Sequence, residues 1–78
     1  MSIRLTLDIT RERCPMTWVR TKLALEAVAP GDELEVVLGP GEMLVNVPRN
    51  CADEGHEVVN VEPIDGERHQ LIVRKRGA

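Results

Sequence analysis

Glycine and proline clusters divide this chain into six short segments, and this division constrains its fold more than any other feature. Glycine and proline are the strongest local signals for a turn, because they either permit or impose backbone angles that helices and strands do not use. Each segment between them has room for one helix or one strand. The clusters and turn dipeptides are Cys14-Pro15, Pro30-Gly31, Gly39-Pro40-Gly41, Gly55 and Asp65-Gly66.

Four of the segments have the pattern of β-strands. Over residues 3–8, apolar residues alternate with polar ones, which is the period of a half-buried strand. The same alternation recurs just before Gly39. Residues 57–62 and 69–74 predict two further strands, joined across the hairpin dipeptide Asp65-Gly66. The apolar residues of the first two predicted strands are Ile3, Leu5 and Leu7, then Leu34, Val36 and Leu38.

Two segments predict helices, over residues 15–29 and 43–54. The first ends at Pro30-Gly31, and Gly55 has the position that often follows a helix. Pro48 lies inside the second segment, where it must either kink the helix or begin its regular part. In order, the segments predict βαβαββ. The expected fold is an α/β (α+β) two-layer sandwich, a four-stranded mixed sheet with two helices on one face.

Size and charge exclude several classes of protein. With 78 residues, the chain is expected to form a single domain, residues 1–78. Its net charge is −3, and it has one Trp but no Phe or Tyr. Nucleic-acid binding depends on basic and aromatic side chains, so we expect no direct binding of DNA or RNA. There is neither a secretion signal nor an apolar stretch of membrane-spanning length, so we expect a cytoplasmic protein that does not engage membranes.

Cys14-Pro15 stands between the first predicted strand and the first predicted helix. Proline is tolerated in the first helical turn, so we expect Pro15 to begin the helix and Cys14 to be its N-cap. The sulfur would then face unpaired N–H groups at the positive end of the helix dipole, which favours the nucleophilic thiolate. Met16 and Thr17 would complete this helix N-terminus. In the alternative interpretation, Cys14 is a small N-cap residue that only packs.

Basic residues surround Cys14 in the sequence, among them Arg13, Arg20 and Lys22. We interpret them as a source of positive potential that lowers the pKa of the thiol and attracts an anionic surface of a partner. The alternative is that these charges are simply solvated.

The first predicted helix has two apolar stripes on roughly opposite sides, and only one can face the sheet fully. One interpretation is a helix rolled so that both stripes are partly buried. The other is that the second stripe, with Val19 and Leu23 at its centre, is a docking surface for a partner beside Cys14. The first stripe is Trp18, Thr21, Ala24, Leu25 and Val28; the second is Met16, Val19, Leu23 and Ala27.

The second cysteine, Cys51, lies in the second predicted helix and is expected to be a buried core residue rather than a resolving cysteine. His56 and His69 are expected at the surface or at strand edges. A zinc site built from both cysteines and both histidines would lack the ligand spacing of known sites, so we expect no metal and no cofactor.

The chain resembles the TusA/SirA family of small sulfur-carrier proteins. The resemblance runs over nearly the whole length and rests on Cys-Pro at the start of a helix, in this frame and at this chain length. Further matching motifs are Leu7-Asp8, Pro30-Gly31-Asp32, Val47-Pro48-Arg49, Gly55-His56-Glu57 and a basic final strand. The family usually reads Cys-Pro-x-Pro, whereas here Thr17 stands in place of the second proline, and Arg11 replaces a common glycine.

The resemblance implies a function as well as a βαβαββ fold. Cys14 would accept sulfane sulfur as a persulfide and hand it to another protein, as a sulfur carrier rather than a multiple-turnover enzyme. The implied partners are a sulfur donor, such as a cysteine desulfurase or a rhodanese-like protein, and a downstream acceptor protein. Two alternatives stay open: an interaction or regulatory module in which Cys14 is incidental, and a thiol redox protein that uses Cys14 and Cys51.

Overall fold

A computed structural model shows the predicted order of helices and strands and describes residues 4–13 and 16–76. The N-terminal half alternates strand and helix, and the C-terminal half ends in an antiparallel hairpin. The strands are β1 (Arg4–Asp8), β2 (Glu33–Leu38), β3 (Glu57–Pro63) and β4 (His69–Arg74), and the helices are α1 (Met16–Ala27) and α2 (Glu42–Asp53).

The four strands form one mixed sheet in the order β1-β2-β4-β3. β1 and β2 are parallel, while β4 pairs antiparallel with both β2 and β3. The predicted two-layer α/β sandwich is therefore confirmed. Because β1 and β2 are parallel, their C-terminal ends lie at the same edge of the sheet, and the loops that follow them lead into α1 and α2. This arrangement brings the starts of both helices together.

The core lies between the helices and one face of the sheet. β2 alternates in burial along its length, and its inward residues are fully buried opposite those of β4, as the period of two requires. Burial of each such side chain contributes roughly 1.5–3 kcal/mol. The core residues are Ile9, Leu25, Val28, Leu34, Val36, Leu38, Val47, Cys51, Leu71 and Val73.

One helix end differs from the sequence-based expectation, and the structure adds detail at Pro48 and at the hairpin connection. α1 ends at Ala27, before the predicted end at residue 29. Directly after it, the Val28 N–H bonds back to the Leu25 carbonyl, three residues earlier, at 3.2 Å. Pro48 does not begin the regular part of α2, because the helix runs through it from Glu42. The hairpin connection contains Asp65-Gly66 but spans residues 64–68. It is organised by the Asp65 carboxylate, which accepts the N–H of Arg68 at 2.8 Å.

No helix within residues 4–13 and 16–76 has the length and apolar character needed to cross a membrane.

Candidate functional site

The predicted site centres on Cys14 and Pro15, which lie outside the described residues, so the predicted N-cap is not tested by the structure. The chain on both sides is described. Arg13 precedes the two residues, and α1 begins at Met16 directly after them. The Thr17 N–H bonds to the Arg13 carbonyl at 3.2 Å, which is the spacing of a helical hydrogen bond. This bond joins the described residues on either side of Cys14 and Pro15.

The loop between β1 and α1 is held by its own side chains. The Asp8 carboxylate accepts hydrogen bonds from the hydroxyl and the N–H of Thr10, at 2.6 and 2.9 Å. Both bonds hold the pKa of the Asp8 carboxyl below its ordinary value, and the bond from the Thr10 hydroxyl has the larger effect. Ile9 is fully buried, and its carbonyl accepts the Glu12 N–H at 3.0 Å. A buried anchor and a side-chain-capped turn therefore fix where the chain reaches Arg13.

Thr17 is a structural residue of the first turn of α1. Its side chain is buried, and its carbonyl accepts the hydroxyl of Thr21, also buried, at 2.8 Å. The pairing satisfies the Thr21 hydroxyl inside the core, which matters because a buried hydroxyl without a partner is costly. Thr17 is therefore tied to Arg13 through its N–H and to Thr21 through its carbonyl.

A pocket of about 220 Å³ opens beside this turn. One wall comes from the residues around the start of α1, and the other from the β2–α2 loop and the start of α2. The second wall was not predicted, although Gly39-Pro40-Gly41 at the end of a strand parallel to β1 is the signal that indicates it. The two loops are in contact: a Cβ atom on Gly39 would lie 3.4 Å from the Thr10 carbonyl oxygen. The lining residues are Glu12, Arg13, Thr17, Pro40, Glu42, Met43 and Asn46.

The three predicted cations occupy different surroundings. Arg13 lines the pocket. Arg20 pairs with Glu12 at 3.2 Å, so its charge is balanced at the rim by a residue of the same pocket. Lys22 pairs with Glu54 at 3.7 Å, at the far end of α2 from the pocket. Of the three predicted cations, Arg13 is thus the one that lines the pocket. The electrostatic effect of all three on Cys14 stays a prediction.

The two apolar stripes of α1 have different environments. Leu25 and Val28 of the first stripe are buried in the core. In the second stripe, by contrast, Leu23 is 60% exposed, Met16 44% and Val19 39%. The helix is therefore not rolled to share its burial between both stripes. The second stripe is an uncovered apolar surface that begins at the residue next to Pro15.

Cys51 is fully buried in the core, as predicted. Burial raises the pKa of its thiol from 9.0 to about 12, because the thiolate would lose its hydration. Since the thiolate is the reactive form, Cys51 is inert at neutral pH. This finding disfavours the redox alternative, which needs Cys51 as a resolving cysteine.

The raised pKa predicts that Cys51 makes the protein less stable in alkali. The folded-state pKa lies above the unfolded value, so its stabilising contribution is complete below pH 9 and is lost as the pH rises towards 12. Over this window the free energy of unfolding should fall by up to about 1.4 kcal/mol per pH unit. Urea unfolding at several alkaline pH values should show a flatter dependence for Cys51→Ala than for the wild type. Parallel curves would contradict the prediction. Cys14 is present in both proteins, so its own titration does not affect the comparison.

The two histidines lie apart from the pocket's lining. His56 accepts the Arg76 N–H at its Nδ1, at 3.0 Å, and burial lowers its pKa. His69 begins β4, and its Nδ1 is buried without a hydrogen bond to any described residue. Among the described residues, which exclude Cys14, no group of three His, Cys, Asp or Glu side chains could hold a metal ion.

Over most of its length, the chain is similar to proteins that are named as sulfur carriers. The family model described as sulfurtransferase TusA matches residues 5–75. A protein of Archaeoglobus fulgidus, named as a sulfur carrier, is 37% identical over 70 residues, covering 90% of this chain and 80% of that protein. A protein of Methanocaldococcus jannaschii, also named as a sulfur carrier, is 36% identical over 69 residues, covering 88% of this chain and 91% of that protein. The Escherichia coli protein TsuB, named in the same way, is 28% identical over 69 residues, covering 88% of this chain and 92% of that protein.

Proposed function

Because the chain belongs to the TusA family of sulfur carriers, we propose that Cys14 accepts sulfane sulfur as a persulfide and passes it to an acceptor protein. The observation that carries the proposal is the pocket to which Arg13 and Thr17, on either side of Cys14 in the sequence, both contribute. The other cysteine is buried and inert. We further propose that residues 1–78 act as one sulfur-carrier domain in the cytoplasm, where thiols stay reduced.

The chemistry is two successive displacements at sulfur. The Cys14 thiolate attacks the outer sulfur of a persulfide on the donor protein. A new S–S bond forms on Cys14, the old S–S bond breaks, and the donor cysteine leaves as a thiolate. An acceptor thiolate then attacks the outer sulfur on Cys14 in the same way. Each step exchanges one S–S bond for another, so neither an oxidant nor a cofactor is required.

The residues around Cys14 would favour its anionic form. Pro15, Met16 and Thr17 would supply the helix N-terminus whose dipole stabilises a thiolate, and Arg13 adds a positive charge at the same pocket. Arg20 is paired with Glu12, so its contribution depends on release of that ion pair when a partner docks.

The partners would be a sulfur donor, such as a cysteine desulfurase or a rhodanese-like protein, and a downstream acceptor protein. We propose that one of them docks on the exposed stripe of Met16, Val19 and Leu23. An apolar anchor beside charged residues is the usual composition of a specific interface. A protein docked there would lie at the end of α1 that follows Cys14, which is what direct transfer of sulfur requires.

Intact mass measurement tests the proposal. After incubation with a cysteine desulfurase and cysteine, the protein should gain the mass of one sulfur atom, and peptide mapping should place it on Cys14. A gain that maps elsewhere, or no gain with a desulfurase and a rhodanese-like donor, would argue against a carrier. A disulfide in place of added sulfur would favour the redox alternative.

Thr17 allows a test of how the departure from Cys-Pro-x-Pro affects the choice of partner. Thr17→Pro restores the second proline of Cys-Pro-x-Pro and removes the hydrogen bond to the Arg13 carbonyl, a net loss of about 0.5–1.5 kcal/mol. We expect the alkylation rate of Cys14 to change little and the single-turnover transfer to the natural acceptor to change more. Thr17→Val is the matched control, because it keeps the N–H and the side-chain shape. If alkylation slows about tenfold and transfer falls no further, Thr17 acts on the sulfur itself.

A further inference from the structure

The sheet has two edges, and only one of them is suited to pairing with another strand. The β3 edge has an irregular register between Val58 and Asn60 and ends in Pro63. Bulges and prolines are devices that prevent a sheet edge from pairing further. β1, in its described residues Arg4–Asp8, follows β2 in unbroken register and contains no proline.

Among residues 4–13 and 16–76, the backbone groups of β1 that face no other strand belong to its even-numbered residues. The Ile9 N–H bonds to the Val37 carbonyl on β2 at 3.1 Å. Because backbone groups alternate in direction along a strand, the N–H groups of Leu7 and Leu5 also point towards β2. Those of Thr6 and Asp8 therefore point to the open edge, together with their carbonyl groups.

The sequence of β1 is complementary to itself in the antiparallel direction. Arg4–Asp8 reads Arg-Leu-Thr-Leu-Asp. If a second copy pairs with Thr6 opposite Thr6, then Leu5 lies opposite Leu7, and Arg4 opposite Asp8, on both sides of the two-fold axis. This register pairs the even-numbered residues as hydrogen-bonded partners, which are the ones whose backbone groups face no other described strand. Opposite charges and apolar residues placed directly across from each other stabilise such a pair.

The surroundings of β1 also suit a second copy. Leu5 is 40% exposed although it lies on the helix face of the sheet, opposite buried Leu34 of β2. It lines an apolar cleft of about 250 Å³ with Ala27 and Ala29 at the end of α1. In the antiparallel register, the partner's Leu7 lies beside Leu5 at this cleft and covers exposed apolar surface.

We propose that β1 is a dimerisation edge, at which two copies of this chain join their sheets antiparallel about Thr6 into one eight-stranded sheet. An isologous contact of this kind closes with two copies and leaves β3 as the outer edge on both sides. The proposal rests on the strand register, the charge order and the exposed Leu5 at the apolar cleft. It stands or falls independently of the sulfur-carrier function.

The experiment is sedimentation velocity of the full chain and of designed variants over a range of concentrations. Wild type should form a reversible dimer. Arg4→Glu places like negative charges opposite each other, and Asp8→Lys places like positive charges, so each alone should raise the dimer dissociation constant about tenfold or more. Because Asp8→Lys also removes the acceptor of the two Thr10 bonds, circular dichroism must show that both variants are folded before they are compared. An equimolar mixture of the two variants should regain the dimer, because every facing pair again has opposite charges.

A backbone variant gives an independent check. Thr6→Pro removes the N–H on the two-fold axis and should be monomeric but folded, because proline is tolerated on an edge strand when its N–H side faces solvent. Thr6→Val keeps the N–H and should remain a dimer. A wild-type chain that is monomeric at every concentration would overturn the proposal. So would a dimer that survives both Thr6→Pro and Arg4→Glu, or a mixture of the charge variants that fails to associate.

Discussion

Cys14→Ser is expected to abolish sulfur loading completely while the protein stays folded. Serine is a preferred N-cap residue, so the predicted start of α1 should tolerate the exchange. No other cysteine can replace the lost nucleophile, because the chain contains two cysteines and Cys51 is buried with its thiol pKa raised to about 12. Intact mass after incubation with a sulfur donor measures loading, and far-ultraviolet circular dichroism measures folding.

Cys51→Ser is the matched control. It should load one sulfur like the wild type. It should also be less stable by about 1–3 kcal/mol, because the serine hydroxyl would be buried in the hydrophobic core. The two variants therefore separate reactivity from stability. A loaded Cys14→Ser protein would contradict the assignment, as would a folded Cys51→Ser protein that cannot be loaded.

Leu23→Glu is expected to weaken sulfur transfer without unfolding the domain. Leu23 is 60% exposed on the second stripe of α1, so a carboxylate there remains hydrated in the free protein, and the melting temperature should be nearly unchanged. In a docked complex the same carboxylate would be buried against the partner. We expect the KM for donor or acceptor to rise about tenfold, which corresponds to roughly 1.4 kcal/mol of lost binding.

Val45→Glu is the control for this surface. Val45 is 63% exposed on α2 and does not belong to the stripe, so the substitution adds the same charge on the other helix. Its KM should match that of wild type. If both variants weaken transfer equally, the effect comes from net charge. If Leu23→Glu unfolds the protein or leaves KM unchanged, the docking surface lies elsewhere.

The sequence alone was sufficient for the fold class and for most of the elements. The alternation in β2 and the breakers at Pro30-Gly31 are local signals, and local signals determine where helices and strands begin and end. β4 has the predicted bounds, and α2 differs by one residue at each end. The sequence also predicted a hairpin across Asp65-Gly66, but not the hydrogen bonds to the Asp65 side chain that organise its loop.

The sequence also pointed to Cys14 as the reactive residue, which stays a prediction. It predicted Cys51 as a core residue, and the structure confirms that burial. The sequence did not predict the residues that form the second wall of the pocket. Glu42, Met43 and Asn46 reach the pocket because two parallel strands place their C-terminal ends side by side, and strand pairing joins residues distant in the sequence. Likewise, periodicity showed two apolar stripes on α1, but only packing against the sheet decided which of them is buried. The buried side of a helix is set by the element that packs against it.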